Sequence, residues 1–578
     1  MFCLADDTHR RVRRLVLAIL LVWGGLSLRL VHIQWWNRAR FASVAQRQQI
    51  SEEVIRARPG DICDRRGRLL ATTIVVPSFF ADPDRLENPA EFAAAVGPVL
   101  GLDVGELTAR LKRYRDKRFL WIKRRLTEKE LLALQQLKLS RLTCGFKSEF
   151  QRHYPQGPIA AHILGLRDID GNGRGGVEQF FDGLIRGEDG RRRFVRDARG
   201  YVLDVLEEVT DSPRDGAEVT LTIDAALQVQ LEQRLDTLMT EMKPQGVCGI
   251  ILDPVHGEVL AMASRPAFDP RAPHLAEETA WKNLCIAAVF EPGSTFKPMV
   301  VGRAIDLGLV KPEESLFCER GAYRMGPRVL HDHHRYGYLS VGDVLVKSSN
   351  IGMAKIGERM GNEELYRMVT EYGFGQPTGI ELPGELGGFL RPLSEWNIYS
   401  TGSIPMGQEI ATTPLQMVAA HATLANGGRR VAPHLLLQVN REPFPKSSLE
   451  PRVASAESAF WLVKGPMVDV VERGTGTKAK LPGVAVFGKT GTAQKVDPET
   501  GKYSHQQHVS SFICGAPAES PRALVLITVD EPSAEAGQYG GTVAAPAAAD
   551  VLKYTLGYLK PRSQVLEPLA TENPAPLR

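Results

Sequence analysis

Ser294 and Lys297 are the residues in this sequence whose types and spacing most directly suggest a chemical reaction. They form the only Ser-x-x-Lys pattern in the chain, and Pro292-Gly293 interrupts regular structure just before them. A helix that begins near Ser294 would place the hydroxyl and the ammonium group on one face, since residues three apart are neighbours there. The N–H groups at such a helix start also favour negative charge. The pattern therefore predicts a serine nucleophile with a lysine base, provided that burial or a second cation lowers the pKa of the lysine.

Two further motifs lie downstream of this pair. Ser348-Ser349-Asn350 contains a Ser-x-Asn pattern, and Lys489-Thr490-Gly491-Thr492 contains Lys-Thr-Gly. The first pattern alone would also describe a helix-capping serine and a surface lysine. The three patterns in this order resemble the penicilloyl-serine enzymes, which are the penicillin-binding proteins and the serine β-lactamases. The coincidence of all three favours that chemistry over the capping interpretation.

Length and composition limit the classes of protein to be considered. At 578 residues the chain is too long for a single domain. Its net charge of +4 is close to balance, so the sequence carries no footprint of a nucleic-acid-binding protein. The seven cysteines are dispersed and show no Cys-x-x-Cys spacing, so neither a disulfide framework nor a zinc site is predicted.

The N-terminal segment predicts how the protein is anchored. Four arginines lie between residues 10 and 14, and a mostly apolar run over residues 15–36 follows, interrupted by Arg29 and ending at Trp35-Trp36. As a helix this run would span about 33 Å, which matches a bilayer core of about 30 Å. The positive-inside rule places a tail of residues 1–14 in the cytoplasm and the rest of the chain outside. Without a small-x-small cleavage site we expect a retained transmembrane signal anchor, and a buried core helix is the alternative.

Turn residues and hydrophobic periodicity predict the elements that would position the three motifs. Residues 56–71 predict a β-hairpin, and apolar spacing within residues 87–145 predicts helices. A domain boundary is expected near residues 211–216. Asp224 is expected to cap a long helix that reaches about Met242. Further helices are predicted at residues 350–360 and 405–424, and strands at residues 219–223, 247–252, 258–263, 484–487, 510–514 and 523–529.

Residues 483–490 also satisfy the Walker A pattern of ATPases, and residues 524–531 look like a Walker B strand. A phosphate-binding loop needs its four intervening residues to wrap with their N–H groups facing inward. Val484-Ala485-Val486-Phe487 instead favours a β-strand, and ATP is not expected outside the cytoplasmic membrane. The ATPase is therefore the less favoured interpretation.

His331-Asp332-His333-His334 is a second cluster with metal-ligand chemistry, because three histidines and an aspartate could ligate an ion. The cluster lies in a loop that also contains Gly and Tyr, and the sequence implies no fourth ligand beyond it. We therefore favour a structural loop over a metal site.

Along nearly its whole length the chain resembles a class B penicillin-binding protein, a monofunctional D,D-transpeptidase. Residues 58–71, 152–157, 162–165 and 176–190 look like the motifs of that family's N-terminal pedestal, residues 221–228 like its transpeptidase entry and residues 537–546 like its closing motif. The resemblance implies a multidomain α+β fold with a single transmembrane helix. An elongated, dimerisation-type pedestal would occupy residues 37–215. The transpeptidase domain would occupy residues 216–562, with helices flanking a central antiparallel sheet, before a disordered tail at residues 563–578.

The resemblance also implies a role for each motif residue. Ser294 would attack the carbonyl between the two terminal D-alanines of a peptidoglycan stem peptide, with Lys297 as the general base. Ser348 would relay the proton to the leaving amine, Asn350 would hydrogen-bond Lys297 and the peptide, and Lys489 would add positive charge. No metal or organic cofactor is required, and β-lactams would acylate the serine. Three residues would bind the substrate, namely Thr490, Gly491 and Thr492.

Within the family, the sequence Ser-Ser-Asn-Ile-Gly resembles the division-type branch (FtsI or sporulation type), whereas elongation-type members more often show Ser-x-Asp. That branch implies a role in septal cell-wall synthesis at the bacterial inner membrane, with the catalytic domain in the periplasm. It also implies a SEDS-type glycosyltransferase similar to FtsW, and other division proteins, as partners. An elongation-type transpeptidase, a membrane-anchored β-lactamase or β-lactam sensor, and a non-catalytic scaffold are the alternatives.

Overall fold

A computed structural model describes residues 4–41, 50–196, 202–205, 211–444, 451–496, 501–533 and 537–559. The chain divides into two compact units, one of residues 1–59 with 186–216 and one of residues 60–185 with 217–578. The tail predicted at residues 563–578 lies outside the described residues.

The first unit contains the N-terminal helix and a small sheet. Helix α1 (Leu4–Val31) continues into a π-helical turn, His32–Trp36. Among the described residues, one helix is long and apolar enough to cross a membrane, namely Arg11–Trp36 with 26 residues. The span predicted at residues 15–36 lies within it. The sheet of this unit is antiparallel and consists of β1 (Ile50–Ile55), β8 (Gly190–Arg196) and β9 (Val202–Val205).

The second unit begins with residues 60–185, the portion of the predicted pedestal that lies in this unit. We call these residues the pedestal from here on. The predicted hairpin is present, because the Asp64 carboxylate accepts the N–H groups of Arg66 and Arg68 and Gly67 adopts a φ of 78°. The prediction of helices at residues 87–145 is wrong at one point, where a strand lies between the second and third helices of that segment. The pedestal elements are β2 (Ile62–Cys63), β3 (Leu69–Ala81), α2 (Pro89–Leu100), α3 (Val104–Arg113), β4 (Leu120–Lys123), α4 (Glu128–Gln136), β5 (Cys144–His153), α5 (Ala161–Leu164), β6 (Leu166–Arg167), β7 (Gly173–Arg174), α6 (Gly176–Phe180) and α7 (Asp182–Ile185).

The remainder of the second unit, from residue 217, is the catalytic part. Its helices are α8 (Ala225–Met242), α9 (Leu284–Ala287), α10 (Lys297–Asp306), α11 (Val341–Val346), α12 (Asn350–Glu371), α13 (Ser400–Ser403), α14 (Pro414–Ala425), α15 (Ala456–Lys464), α16 (Pro466–Glu472), α17 (Gly540–Val543) and α18 (Ala545–Tyr558). Its strands are β10 (Val219–Leu221), β11 (Gly246–Leu252), β12 (Val259–Arg265), β13 (Ser315–Phe317), β14 (Ala322–Met325), β15 (Arg328–His331), β16 (Tyr338–Ser340), β17 (Phe389–Leu390), β18 (Ile410–Ala411), β19 (Leu436–Val439), β20 (Glu442–Pro443), β21 (Phe487–Val496), β22 (Tyr503–Ala516) and β23 (Ala523–Asp530).

An antiparallel sheet in the order β12-β11-β23-β22-β21 forms the centre of the catalytic part. Side chains alternate between its two faces. One face, which includes Ile250 and Leu526, packs in the same buried cluster as Phe296 and Met299 near the start of α10. The opposite face packs against α8 and α18 in a second buried cluster. Helices therefore cover both faces of the sheet, as the predicted fold class requires, and β21 is left as an edge strand.

Several predicted boundaries in the catalytic part are wrong, since the strand predicted at residues 510–514 spans Tyr503–Ala516 and the helix predicted at residues 350–360 extends to Glu371. The strand predicted at residues 484–487 begins only at Phe487 and runs through the Lys-Thr-Gly motif to Val496. The helix predicted from residue 405 begins at Pro414, where Thr413 forms a capping box with Gln416. By contrast, the prediction for Asp224 is confirmed, since its side chain accepts the N–H of Ala226 and α8 ends at Met242.

Candidate active site

The turn that carries Ser294 is held by close backbone packing. Residues Gly293–Phe296 form a single 3-10 turn, and α10 begins directly after it at Lys297. Gly293 donates its N–H to the carbonyl of Gly407 at 3.0 Å. A Cβ atom on Gly407 would lie 2.2 Å from the carbonyl oxygen of Gly293, so no side chain fits there. The serine is thus presented at a helix start, as its sequence context predicts.

The hydroxyl of Ser348 connects the three motifs. It donates to Ser294 Oγ at 2.9 Å, and it accepts from Lys297 Nζ at 3.2 Å and from Lys489 Nζ at 2.9 Å. Lys297 Nζ also donates to the carbonyl of Ser348 at 2.7 Å and to Asn350 Oδ1 at 2.9 Å. The five residues predicted to be catalytic therefore form one hydrogen-bonded group, in which Ser348 lies between the nucleophile and both lysines.

The two lysines of this group are fully buried. Burial lowers the pKa of Lys297 to about 7, although the carboxylate of Asp332 opposes this shift. Burial and the charge of Lys297 lower the pKa of Lys489 well below its ordinary value. Two ammonium groups in contact with one hydroxyl repel each other in this low-dielectric environment, so their titrations are coupled. A neutral amine beside Ser348 is therefore accessible near neutral pH.

Backbone geometry at the second motif orients its side chains. Ser348 adopts a φ of 58°, in the left-handed region that non-glycine residues rarely occupy. Such a conformation costs about 1–3 kcal/mol and persists only where the surroundings enforce it. Ser349 then caps α12 by accepting the N–H of Gly352 at 3.0 Å. The left-handed residue thus directs the Ser348 hydroxyl toward Ser294, while its neighbours enter the helix.

Asp332 is a functional residue that the sequence alone did not identify. Its carboxylate accepts the Ser349 hydroxyl at 2.7 Å and the N–H groups of Asn350 at 2.5 Å and Ile351 at 3.1 Å. The residue lies in the cluster that suggested metal binding, but in the structure its oxygens bind the start of α12. In the part of the chain that the structure describes, no group of three His, Cys, Asp or Glu side chains could hold a metal ion.

The Lys-Thr-Gly motif lies within β21 itself. Lys489 pairs with Ile513 and Thr490 with Phe512, so the Walker A interpretation of this segment is wrong. Thr490 Oγ1 contacts Thr475 Oγ1 at 2.7 Å, and Thr492 Oγ1 accepts the N–H of Gly540 at 3.1 Å.

A Cβ atom at Gly491 would lie 2.3 Å from Ser511 Oγ and 2.9 Å from Thr295 Cγ2, so a side chain there would displace both neighbours. The edge strand therefore delivers the motif to the group around Ser294.

His421 is a second supporting residue without a signal in the sequence. Its Nε2 lies 2.9 Å from the carbonyl oxygen of Thr295, directly after the nucleophile. Burial lowers the pKa of His421 to about 4, so the ring is neutral at physiological pH. A neutral ring whose Nε2 carries the proton donates to this carbonyl and helps to hold the turn.

Comparisons with known proteins agree with this geometry. Residues 247–553 match the family model for the penicillin binding protein transpeptidase domain, and residues 54–221 match that for the penicillin-binding protein dimerisation domain. A probable peptidoglycan D,D-transpeptidase PenA from Neisseria meningitidis is 32% identical over 558 residues, covering 96% of this chain and 93% of that protein.

Peptidoglycan D,D-transpeptidase FtsI from Escherichia coli is 31% identical and covers 84% of this chain and 81% of that protein. The crystal structure of apo penicillin binding protein 3 from Mycobacterium tuberculosis is also similar. It has a TM-score of 0.67 and 27% sequence identity, and covers 87% of this chain and 97% of that one.

The helix-covered antiparallel sheet carries one buried lysine on its edge strand, with the serine and a second buried lysine beside it, and the matching family model makes this a transpeptidase of the serine acyltransferase kind. The chain belongs to the penicillin-binding proteins, and within them to class B. The family resemblance and the fold class predicted from sequence are confirmed. The domain boundaries predicted between residues 36 and 37 and between residues 215 and 216 stay predictions.

Proposed function

We propose that this protein cross-links peptidoglycan stem peptides through an acyl-enzyme on Ser294, with release of the terminal D-alanine. The observation that carries the proposal is the continuous contact from Ser294 Oγ through Ser348 Oγ to Lys297 and Lys489. It provides a nucleophile, a base whose pKa lies near neutrality and a path for the proton between them. The 32% identical PenA relative bears the name of this activity.

The first half-reaction forms the acyl-enzyme. Neutral Lys297 takes the proton of Ser294 through the Ser348 hydroxyl while Ser294 Oγ attacks the carbonyl between the two D-alanines. The same hydroxyl then returns a proton to the departing amine of D-alanine. Since Ser348 contacts the nucleophile and both lysines, no residue has to move between these two transfers.

We assign substrate binding, and part of the stabilisation of the oxyanion, to the edge strand β21. The ammonium group of Lys489 and the hydroxyls of Thr490 and Thr492 are proposed to bind the terminal carboxylate. The backbone N–H groups of Ser294 and Thr492 are proposed to form the oxyanion hole, in which one donor is commonly worth about 3–4 kcal/mol. In the second half-reaction the amine of another stem peptide attacks the acyl-enzyme and completes the cross-link.

Covalent labelling with a fluorescent penicillin tests this function. Full-length protein in detergent should form a stable adduct, seen on a gel and by intact mass, and the Ser294→Ala variant should form none. Rapid loss of the label would instead indicate a β-lactamase. Complete absence of label on folded protein would favour a non-catalytic scaffold.

We further propose a single-pass inner-membrane protein of the division-type branch, with a cytoplasmic N-terminus and a periplasmic catalytic domain. The basic residues before the apolar helix, the Ser-x-Asn motif and the FtsI relative support this placement. A SEDS-type glycosyltransferase similar to FtsW is the proposed partner at the span, where Arg29 interrupts the apolar surface. If Arg29→Leu leaves the amount of co-purified glycosyltransferase unchanged, Arg29 takes no part in that contact.

A further inference from the structure

A strongly basic surface of the pedestal lies at the end of α3 and continues into β4. Between residues 112 and 125 the chain carries eight lysines or arginines and one acid, Asp116. Such a concentration of one sign of charge is unusual in a protein whose overall charge is nearly balanced. We call residues 112–125, together with Phe80, the basic aromatic surface.

Part of this charge has no internal partner. Arg124 is held by Glu149 and Asp170, Lys123 by Glu130, and Arg118 lies 3.7 Å from Asp84. In the described part of the chain, the exposed side chains of three other cations enter no ion pair or hydrogen bond, namely Lys112, Arg113 and Arg115. Lys112 and Arg113 lie in the last turn of α3, where the helix dipole favours positive charge, and all three side chains stay exposed and available to an anionic ligand.

Aromatic rings from the same segment and from β3 form a partly exposed cluster. Phe80 and Phe119 stack with their centroids 4.9 Å apart, and Trp121 meets Phe119 edge-on at 4.8 Å. Phe119 is 45% exposed and the neighbouring Tyr114 is 40% exposed. The guanidinium of Arg124 lies 5.7 Å from the centroid of the Trp121 ring. Stacked rings beside free cations can bind a ligand that has both sugar faces and carboxylates, since C–H groups pack on aromatic faces and carboxylates pair with Arg.

We propose that the basic aromatic surface binds the peptidoglycan strand at a distance from the active site. The strand combines sugar rings with stem peptides that end in carboxylates, so it matches both the rings and the charges of this surface. The proposal rests on the function proposed above, because that function makes the strand the polymer that this protein meets. An anionic membrane would also attract the charges, and the experiment below distinguishes that surface from the strand.

Co-sedimentation with purified peptidoglycan sacculi tests the proposal. The full-length protein in detergent is first acylated with penicillin, so that Ser294 is occupied and binding reports on other surfaces. The test variant carries Lys112→Gln, Arg113→Gln and Arg115→Gln, and a second variant carries Phe119→Ser. The control variant loses the same charge from exposed positions of the catalytic part, through Arg429→Gln, Lys478→Gln and Lys553→Gln.

The triple pedestal variant should bind sacculi about fivefold more weakly than wild type at low salt, and the control variant should bind as wild type does. Phe119→Ser should weaken binding even at high salt, where charges are screened. Equal binding by the pedestal and control variants would overturn the proposal. Binding of the surface to anionic phospholipid vesicles but not to sacculi would also overturn it, in favour of a membrane contact.

Penicillin labelling separates this proposal from the proposed function. All variants should be labelled by penicillin as the wild type is, because none of the substituted residues belongs to the hydrogen-bonded group around Ser294. If wild type itself takes no label, the proposed function fails. The sedimentation of unacylated protein then still reports whether the pedestal binds the polymer.

Discussion

At the scale of residues, the Ser348 hydroxyl sets the chemistry of the site. It contacts the nucleophile and both buried lysines. The backbone of Ser348 is held in place because the next two residues, Ser349 and Asn350, cap and begin α12. Acyl transfer through a serine nucleophile requires a base that is neutral near pH 7 and a hydroxyl that can pass a proton in both directions.

The pH dependence of acylation follows from the environment of Lys297. Because burial lowers the pKa of Lys297 to about 7, the neutral amine predominates only above that pH. The rate of labelling by a fluorescent penicillin should rise about tenfold per pH unit below pH 7 and level off above it. Rates measured across this range would contradict the assignment if they stayed constant or kept rising toward the ordinary pKa of lysine.

Substitution at the second motif separates catalysis from stability. Ser348→Ala removes the shared hydroxyl, so penicillin labelling should slow by about 10²- to 10⁴-fold. Ser349→Ala removes a helix cap instead, and it should lower stability by about 1 kcal/mol with a much smaller effect on the labelling rate. Labelling rates and melting temperatures of both variants provide the check. Unimpaired labelling of Ser348→Ala would exclude the proton path proposed here.

At the scale of elements, close backbone contacts position the nucleophile against the edge strand. The turn of Ser294 rests on Gly407, and β21 packs closely at Gly491 against the side chains of Ser511 and Thr295. The pedestal is held differently, by a buried charge cluster in which Glu178 accepts from Arg152 at 2.5 Å and from Arg167 at 2.6 Å.

Gly407→Ala should displace the Ser294 turn. The new Cβ would lie 2.2 Å from a backbone oxygen that cannot rotate away, and the φ of 76° is itself unfavourable for alanine. We expect penicillin labelling to fall at least about tenfold, which corresponds to about 1.4 kcal/mol. Gly379→Ala is the matched control, because it has a φ of 83° but nothing within 4 Å of the new Cβ. Equal labelling of the two variants would show that the contact does not position the serine.

Glu178→Gln should destabilise the pedestal. The substitution leaves the buried guanidinium of Arg152 without its counter-charge and that of Arg167 with Asp182 alone, and removal of one partner from a buried pair typically costs about 3–5 kcal/mol. Glu188→Gln is the control, since that carboxylate is 76% exposed and its pairing with Arg214 is worth little. Urea unfolding of both variants measures the difference, and a loss no larger than that of the control would exclude a structural role for the cluster.

At the scale of the whole molecule, the apolar N-terminal helix belongs to one compact unit and the site to the other. None of the residues in the apolar window of the helix over Arg11–Trp36 is buried within the protein, as expected for a segment that meets lipid.

A protein that begins at residue 37 should therefore stay in the soluble fraction and label with penicillin as the full-length protein does. Cell fractionation and gel labelling measure the two properties. If the shortened protein still partitions with membranes in high salt, a second membrane contact must exist.

Some structural elements of this protein can be predicted from the sequence alone, and others cannot. The cap at Asp224 and the hairpin at Asp64–Gly67 were predictable because turn and cap residues act on their immediate neighbours. The β21 boundary was misplaced because Val484-Ala485-Val486 has strong β propensity, whereas pairing with β22 begins only at Phe487. The strand within residues 87–145 was missed because its pairing partner lies in β3, far away in the chain.

The sequence by itself determined the three motifs, their order and hence the family and the identity of the reacting groups. Only the tertiary structure decided that Ser348 stands between Ser294 and the lysines, that burial brings the pKa of Lys297 near neutrality, and that Asp332 holds the start of α12. The physical reason is that residue types are local, whereas hydrogen-bond partners and desolvation depend on groups that are distant in the chain and meet only in the folded protein.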